Sequence, residues 1–318
     1  MMSCFNPGII IMRNSSKGKM IHMIFRLKSK GLFLIILSGI FWGSMGIFVR
    51  HLSSYGFTPV QIACMRLVLA AIIFSVILLC KEPGGFKIHP KDIILFLALG
   101  LCSILFFTIC YYTAIKMMTI SMAAILLYTS PIWVMLMSVV FFKETITKTK
   151  LLALSLSFAG CILVSGIGNG NINFIGILIG LGAGVGYGLY SILGTIALKK
   201  YTPYSVTTFT FIVAALGSIV LCSPLDMINK IERAQSFVSL FIFVIITSLV
   251  TAVIPFMCYT IGLRSVEPSK AAIAATIEPM VATLIGAVIF HEKITLPSAI
   301  GILLILIAIV ILNQKSQK

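Results

Sequence analysis

Glu278 sits in the middle of Ala271–Phe290, AAIAATIEPMVATLIGAVIF, a stretch with no other charge, and Pro279 follows it directly. The stretch is long enough to cross a hydrocarbon core of about 30 Å. An acid at that depth costs roughly 2.5–3.5 kcal/mol on insertion scales, so it asks for a reason. Two kinds of chemistry suit it: exchange of a proton, or retention of a cationic or amine-bearing group. A purely structural acid, protonated or paired with arginine, remains open. Arg66 is the one basic residue well inside an apolar run. Counted from Thr58 at 1.5 Å per residue it lies about 12 Å deep, and Glu278, counted from Ala271 on the other side, about 10 Å. Arg66 could balance Glu278, anchor a substrate carboxylate, or snorkel outward. Aromatic side chains add a third element. Trp42 and Tyr187 lie deep in their apolar runs, and Tyr111, Tyr112, Tyr128, Trp133, Tyr190 and Tyr259 lie in or at the ends of theirs. A cavity lined by such rings suits amphipathic or ring-bearing compounds, although core packing and interface anchoring explain single aromatics equally well.

Other chemistries lack their residues. His22, His51, His89 and His291 fall in loops or in the amino-terminal tail. No nucleophile–base pair, phosphate-binding glycine loop or cluster of metal ligands occurs in the apolar runs. The expectation is a protein that is not an enzyme, needs no cofactor or metal, and does not itself use ATP. Cysteines 4, 64, 80, 102, 110, 161, 222 and 258 are scattered without a CxxC pair, and are read as small buried hydrophobes.

These residues must be positioned by membrane-spanning helices. The chain is 318 residues long, 59% apolar and only 10% charged, against about a quarter charged in ordinary soluble domains. Ten apolar runs are read as spans: 32–49, 58–80, 93–114, 120–142, 151–167, 174–197, 204–223, 237–262, 271–290 and 296–312. They are too long, and alternate too little, for barrel strands, and unpaired backbone is excluded from lipid. With the amino terminus inside, 18 of the 24 Lys and Arg residues fall on the cytoplasmic side and 5 on the other, Arg66 being the remaining one. That bias places both termini in the cytoplasm. It also explains the net charge of +16 without nucleic acid. Residues 1–30 form a basic tail, with Met20 and Met23 as alternative starts, and 313–318 a short second tail. The first apolar run is read as a retained span, not a signal peptide.

The chain repeats itself. Tyr259–Thr295 overlays Tyr111–Thr147 at a shift of 148 residues, with 12 of 37 positions identical, among them Tyr111/Tyr259, Pro131/Pro279 and Glu144/Glu292. Ser130 stands where the second copy has Glu278. Five spans per copy is an odd number, so the copies enter the membrane from opposite sides. The fold expected is all-α integral membrane, ten transmembrane helices as two inverted five-helix repeats, 31–167 and 174–312, divided at GNGNIN (168–173). Inverted repeats suit alternating access about a central site. Pro131 and Pro279 kink spans four and nine and free the carbonyls of Leu127 and Ala275. The kinks are either structural or part of a shared role. Gly176, Gly180, Gly184 and Gly188 form a ridge for close helix packing, or room for substrate or sliding; Gly39, Gly43 and Gly46 are a sparser version in span one. Glu144 and Glu292 are read as structural, pairing with Lys143 or Lys148 and with Lys293.

At Phe41-Trp42-Gly43, at Thr58-Pro59 leading to Arg66, at Ala123 through Pro131 to Glu144, at Gly176–Tyr190 and at Ala271 through Glu278-Pro279 to Glu292, the chain resembles the drug/metabolite transporter superfamily in its EamA-type branch. The resemblance runs from Gly31 to Leu312. It implies a ten-helix secondary carrier of the plasma membrane or bacterial inner membrane that exports amino acids, metabolites or amphipathic compounds, by proton or ion coupling, exchange or facilitated passage. The second half departs from the first: Tyr187-Gly188 or Tyr190 stands where Trp42-Gly43 would fall, and no arginine matches Arg66. The expected partners are a small-molecule substrate, the lipid bilayer, protons as the coupling ion and a second copy in a homodimer. Glu278, Arg66, Trp42, Tyr187 and Tyr259 are the candidate substrate-binding or coupling residues. A passive facilitator or exchanger with a structural Glu278, and a non-transporting receptor or scaffold, are the alternatives.

Overall fold

The structure, a computed structural model, describes residues 30–166, 173–232 and 236–314. The expectations for the tail before Lys30, for most of the GNGNIN divider and for the last four residues lie outside the described residues. Those described are helical, joined by short loops. Among them, nine helices are long and apolar enough to span a membrane: α1 (Lys30–Ser54), α2 (Pro59–Lys81), α3 (Pro90–Met117), α4 (Ile120–Phe142), α5 (Lys148–Ser165), α6 (Phe174–Ala197), α8 (Phe237–Leu263), α9 (Pro268–Phe290) and α10 (Leu296–Gln314). The tenth crossing, α7 (Pro203–Ile219), turns by 89° into a short helix, Pro224–Glu232. Ser223, with φ of 49°, makes the corner just before Pro224, where the α conformation is disfavoured.

The starts of the helices are written in the sequence. Thr58 closes a reciprocal capping box with Gln61 ahead of Pro59, and Thr202 accepts from the Ser205 amide ahead of Pro203. Each supplies an acceptor to an otherwise orphaned amide, and each proline sits where its missing N–H costs nothing. Outward faces carry large apolar side chains such as Ile72, Val140, Phe174 and Val288. Lipid can cover these, so the helices need no amphipathic pattern.

The two copies share geometry as well as sequence. Spans four and nine end on left-handed residues, Lys143 (φ 54°) and His291 (φ 55°). The next amide reaches back six residues in both, Glu144 N to Ser138 O at 3.3 Å and Glu292 N to Gly286 O at 3.1 Å. Such 6→1 bonds satisfy carbonyls that a helix end leaves open. Thr147 and Thr295 then accept from the amides of Lys150 and Ser298 to start the next helices. Spans three and eight both loosen into π-helical turns, Ala98–Leu105 and Leu249–Val253. Within these turns Ser103 and Thr251 donate back to the carbonyls of Leu99 and Thr247, a bond that competes with regular helix pairing. Ser103 and Thr251 are again 148 residues apart.

Contacts between loops sort them onto two faces. On the lysine-rich face, Lys200 and Tyr201 bind Asp92, Thr202 donates to Glu82, and Lys150 joins Glu144 to Glu267. On the opposite face, Arg50 meets Glu292, and Gln61 meets Asp226 and Lys230. Both sets tie the first half of the chain to the second.

Five expectations need correction. Lys150 belongs to α5, which starts at Lys148 and not at residue 151. Glu144 pairs with Lys150 at 2.9 Å, not with Lys143 or Lys148, and Glu292 pairs with Arg50 at 2.6 Å, not with Lys293. The left-handed turns at Lys143 and His291 are the reason, because they swing each acid away from its sequence neighbours. His51 lies in α1 rather than in a loop, and Cys80 and Cys102 are exposed rather than buried.

Candidate functional site

The centre of the protein is set by two broken helices. Span four divides into Ile120–Leu127 and Ser130–Phe142, and span nine into Pro268–Ala275 and Ile277–Phe290. Pro131 and Pro279 lie within the first three residues of the second pieces. The carbonyls they cannot serve, Leu127 and Ala275, are covered by glycines. A Cβ at Gly184 would lie 3.4 Å from the Leu127 carbonyl, and one at Gly39 would lie 3.1 Å from that of Ala275. One turn later, a Cβ at Gly188 would stand 3.3 Å from Ser130 O and one at Gly43 only 2.7 Å from Glu278 O. The glycine ridge of α6 therefore exists for close approach to the break in α4, and the glycines of α1 serve the break in α9. Gly39 corresponds to Gly184 and Gly43 to Gly188. That correspondence places Tyr187, not Tyr190, opposite Trp42.

The backbone contact at Gly43 brings α1 onto the acid-bearing segment of α9, and the ring of Trp42 packs on α6 and α8. Tyr187 of α6 donates its hydroxyl to Glu278 Oε2 at 3.0 Å. The Trp42 ring lies 6.0 Å from that of Tyr187, 5.1 Å from Phe256 and 5.4 Å from Tyr259, in edge-on or tilted geometry. Such offset arrangements are the favourable ones for aromatic quadrupoles. Tyr259 and Ser191 share a hydrogen bond of 2.8 Å, and Tyr190 and Thr260 one of 2.6 Å, so α6 and α8 are pinned together around the rings. Between these side chains lies a cavity of about 20 Å³, lined among others by Trp42, Ser130, Tyr187, Phe256 and Tyr259. It has room for about one water molecule, so the aromatic cluster is closed.

Glu278 is not sealed. It keeps part of its surface open, as do Tyr111, Tyr112, Tyr128 and Tyr187. Glu278 acts electrostatically on Tyr111 and Tyr128 as well as on Tyr187.

Arg66 of α2 stands close enough to Glu278 for each to act on the other, but no ion pair joins them among the described residues. Arg66 is only 7% exposed, so it does not snorkel. Its Nη1 donates to the Met45 Sδ at 3.0 Å, and its Nε has no partner among the described residues. A thioether is a weak acceptor. Four of the five residues singled out in the sequence are brought together, Trp42, Tyr187 and Tyr259 as a ring cluster and Glu278 through its bond to Tyr187, whereas Arg66 makes no hydrogen bond or ion pair with any of them among the described residues. Phe107, 5.3 Å from Tyr187, together with Phe256, Ser191 and Thr260, complete the surroundings and are missed by sequence reasoning. The one available signal was the presence of hydroxyl side chains in mid-span beside tyrosines. No group of three or more His, Cys, Asp or Glu residues suited to a metal occurs among the described residues.

The two mouths of the bundle differ. Lys150 and Glu144 are 6% and 9% exposed, with Glu267 joining Lys150 at 2.9 Å and Ser269 donating to Glu144. The pair Arg50 and Glu292 on the opposite face is 55% and 51% exposed. Position 138 explains part of this. A Cβ at the equivalent Gly286 would collide with the Glu292 carboxylate at 2.5 Å. Ser138 leaves no such room, so Glu144 is turned inward instead.

The model of the EamA-like transporter family matches the chain twice, over residues 29–166 and 174–314. An uncharacterized transporter of Archaeoglobus fulgidus is 30% identical over 288 residues, 90% of this chain and 97% of the relative. The uncharacterized transporter YyaM of Bacillus subtilis is 23% identical over 296 residues, 89% of this chain and 93% of the relative. A solved crystal structure superimposes with a TM-score of 0.74 over 91% of this chain and 99% of its own, at 16% identity. At that identity the likeness is one of fold.

Proposed function

The chain belongs to the EamA-like transporter family and is a multi-pass membrane transporter, and we propose that it is a secondary carrier working by alternating access. The halves 31–167 and 174–312 rock about the space beside Glu278. The carrier exports a small metabolite, amino acid or amphipathic compound across the plasma membrane, with both termini in the cytoplasm. The hydrogen bond from Tyr187 to Glu278, with Trp42 packed on Tyr187, carries the reading. It puts a part-exposed acid beside a closed ring cluster drawn from both halves, deep in the bundle. Glu278 there can carry a proton or the positive group of a substrate, and the rings can cover an apolar body. The buried Lys150–Glu144 pair supports a resting state closed on the lysine-rich face, with the exposed Arg50–Glu292 pair as its weaker counterpart.

Counterflow in proteoliposomes tests this. Vesicles preloaded with a compound that stabilises the purified protein should accumulate its labelled form, and an imposed pH gradient should change the rate. Glu278→Gln should abolish the response to pH. A rate indifferent to the gradient in the wild type would favour a passive facilitator, in which Glu278 serves only to hold Tyr187. Tight ligand binding with no flux at all would overturn the carrier reading.

A further inference from the structure

We infer that Arg66 is the anchor for a single carboxylate on the transported compound. The inference rests on the carrier reading above and goes beyond it by naming the substrate's chemical class. Arg66 is buried, yet among the described residues its guanidinium meets no carboxylate, carbonyl or hydroxyl. A charge left in that condition is expensive, because neither water nor a partner replaces its lost solvation. Among the described residues its one hydrogen-bond acceptor is the Met45 thioether, at 3.0 Å. Methionine is flexible and its sulfur binds weakly, so it is a cover that an oxyanion displaces. The guanidinium offers two-donor forks that match the two oxygens of a carboxylate.

The surroundings set the charge of the ligand. Arg66 is one positive charge, and Glu278 is near enough to feel it. A dianion such as a phosphate monoester would bring one charge that Arg66 cannot neutralise towards a carboxyl group. A monocarboxylate is matched by Arg66 alone. A crevice of about 160 Å³ lies between α2, α3 and α7, beside Arg66 in sequence at Leu67 but without Arg66 in its lining. Ala63, Leu67, Thr108, Tyr112 and Lys116 line it, and Tyr112 also acts electrostatically on Arg66. Lys116, at the end of α3 on the face opposite the lysine-rich one, adds a positive charge at the mouth of the crevice. Tyr112, which lines that crevice, and Tyr187 both act on Arg66, and their rings suit an apolar or ring-bearing body attached to the carboxylate.

The test uses the full chain in detergent and three compounds of one shape: 3-phenylpropanoate, its neutral amide and 2-phenylethylamine. The carboxylate should raise the unfolding midpoint of the wild type, and the amide and amine should not. Arg66→Met should weaken carboxylate binding at least tenfold, and Arg66→Lys, which keeps the charge but loses the fork, should fall between. A second readout separates a binding role from a structural one. Without ligand, Arg66→Met should unfold at the same temperature as the wild type or higher, because it removes an unpaired buried charge. The inference is overturned if the amide or amine stabilises as well as the carboxylate, or if none of the three does. It is equally overturned if Arg66→Met keeps the carboxylate response, or if that variant is markedly less stable without ligand. Counterflow keeps the two claims apart: flux of amines but not carboxylates defeats the anchor alone, whereas the absence of any flux defeats the carrier.

Discussion

Replacing Gly43 by alanine tests whether the α1–α9 contact positions Glu278. A Cβ there would lie 2.7 Å from the Glu278 carbonyl oxygen, 2.7 Å from Val281 Cβ and 2.9 Å from Val281 Cγ1. Two of these are a backbone atom and a branch point, which cannot swing aside as a side-chain tip would. Ordinary contact starts near 3.4 Å, so the helices must part by about 0.7 Å. Overpacking of this kind costs about 1–3 kcal/mol. A methyl added at Gly46, less than one turn further along the same helix, would meet no atom of the described residues within 4 Å. Both variants gain about 1 kcal/mol of helix propensity, so their difference isolates the steric term. At roughly 2–4 °C per kcal/mol, Gly43→Ala should unfold about 2–12 °C below Gly46→Ala in a thermal-shift assay. It should also lose more ligand response, because the Glu278 segment moves relative to Tyr187. Equal midpoints and equal ligand responses for the two variants would refute the reasoning.

Other substitutions follow from the same geometry. Lys150→Met strands the buried Glu144 carboxylate and should cost about 3 kcal/mol, read as a lowered unfolding midpoint, whereas Arg50→Ala at the exposed pair should cost less than about 1 kcal/mol. Equal losses would show that burial of the Lys150 cluster does not matter. Trp42→Ala removes contacts to three rings and should cost about 3–5 kcal/mol; a variant as stable as the wild type would mean that the rings repack or are loosely held. Tyr187→Phe deletes only the hydroxyl that serves Glu278. It should leave the fold intact by circular dichroism while changing pH-driven transport as Glu278→Gln does. Normal pH dependence in Tyr187→Phe would detach that hydrogen bond from coupling.

Much of the architecture is legible in the sequence because lipid removes choices. Apolar length, the bias of Lys and Arg, and the repeat at 148 residues lead to ten crossings in two inverted copies, and the matched caps at Lys143 and His291 agree with them. Glu278 stands out because an acid in an apolar run has few neutral explanations. Its partner does not, since the bond to Tyr187 spans 91 residues and depends on how α6 meets α9. The alignment of Trp42 with Tyr187 is ambiguous until the glycine contacts fix the register. The pairings of Glu144 and Glu292 escape a sequence reading because nearest neighbours in sequence are not neighbours in space here, and left-handed turns send both acids elsewhere. The π-helical turns of spans three and eight leave no mark in an apolar alphabet. Phe107 and Phe256 stay hidden for the same reason, as two among 22 phenylalanines.

Two-sided accessibility of the central space tests the central claim most directly. A single cysteine in place of Ser130, which lines the closed ring cavity and is reached only when one side of the bundle opens, would be placed in a chain whose eight native cysteines have been replaced. Membrane-impermeant maleimide would then be applied to oriented vesicles from one face or the other. Alternating access predicts labelling from both faces, with ligand changing the two rates in opposite directions. Labelling from one face only, with and without ligand, would contradict the account.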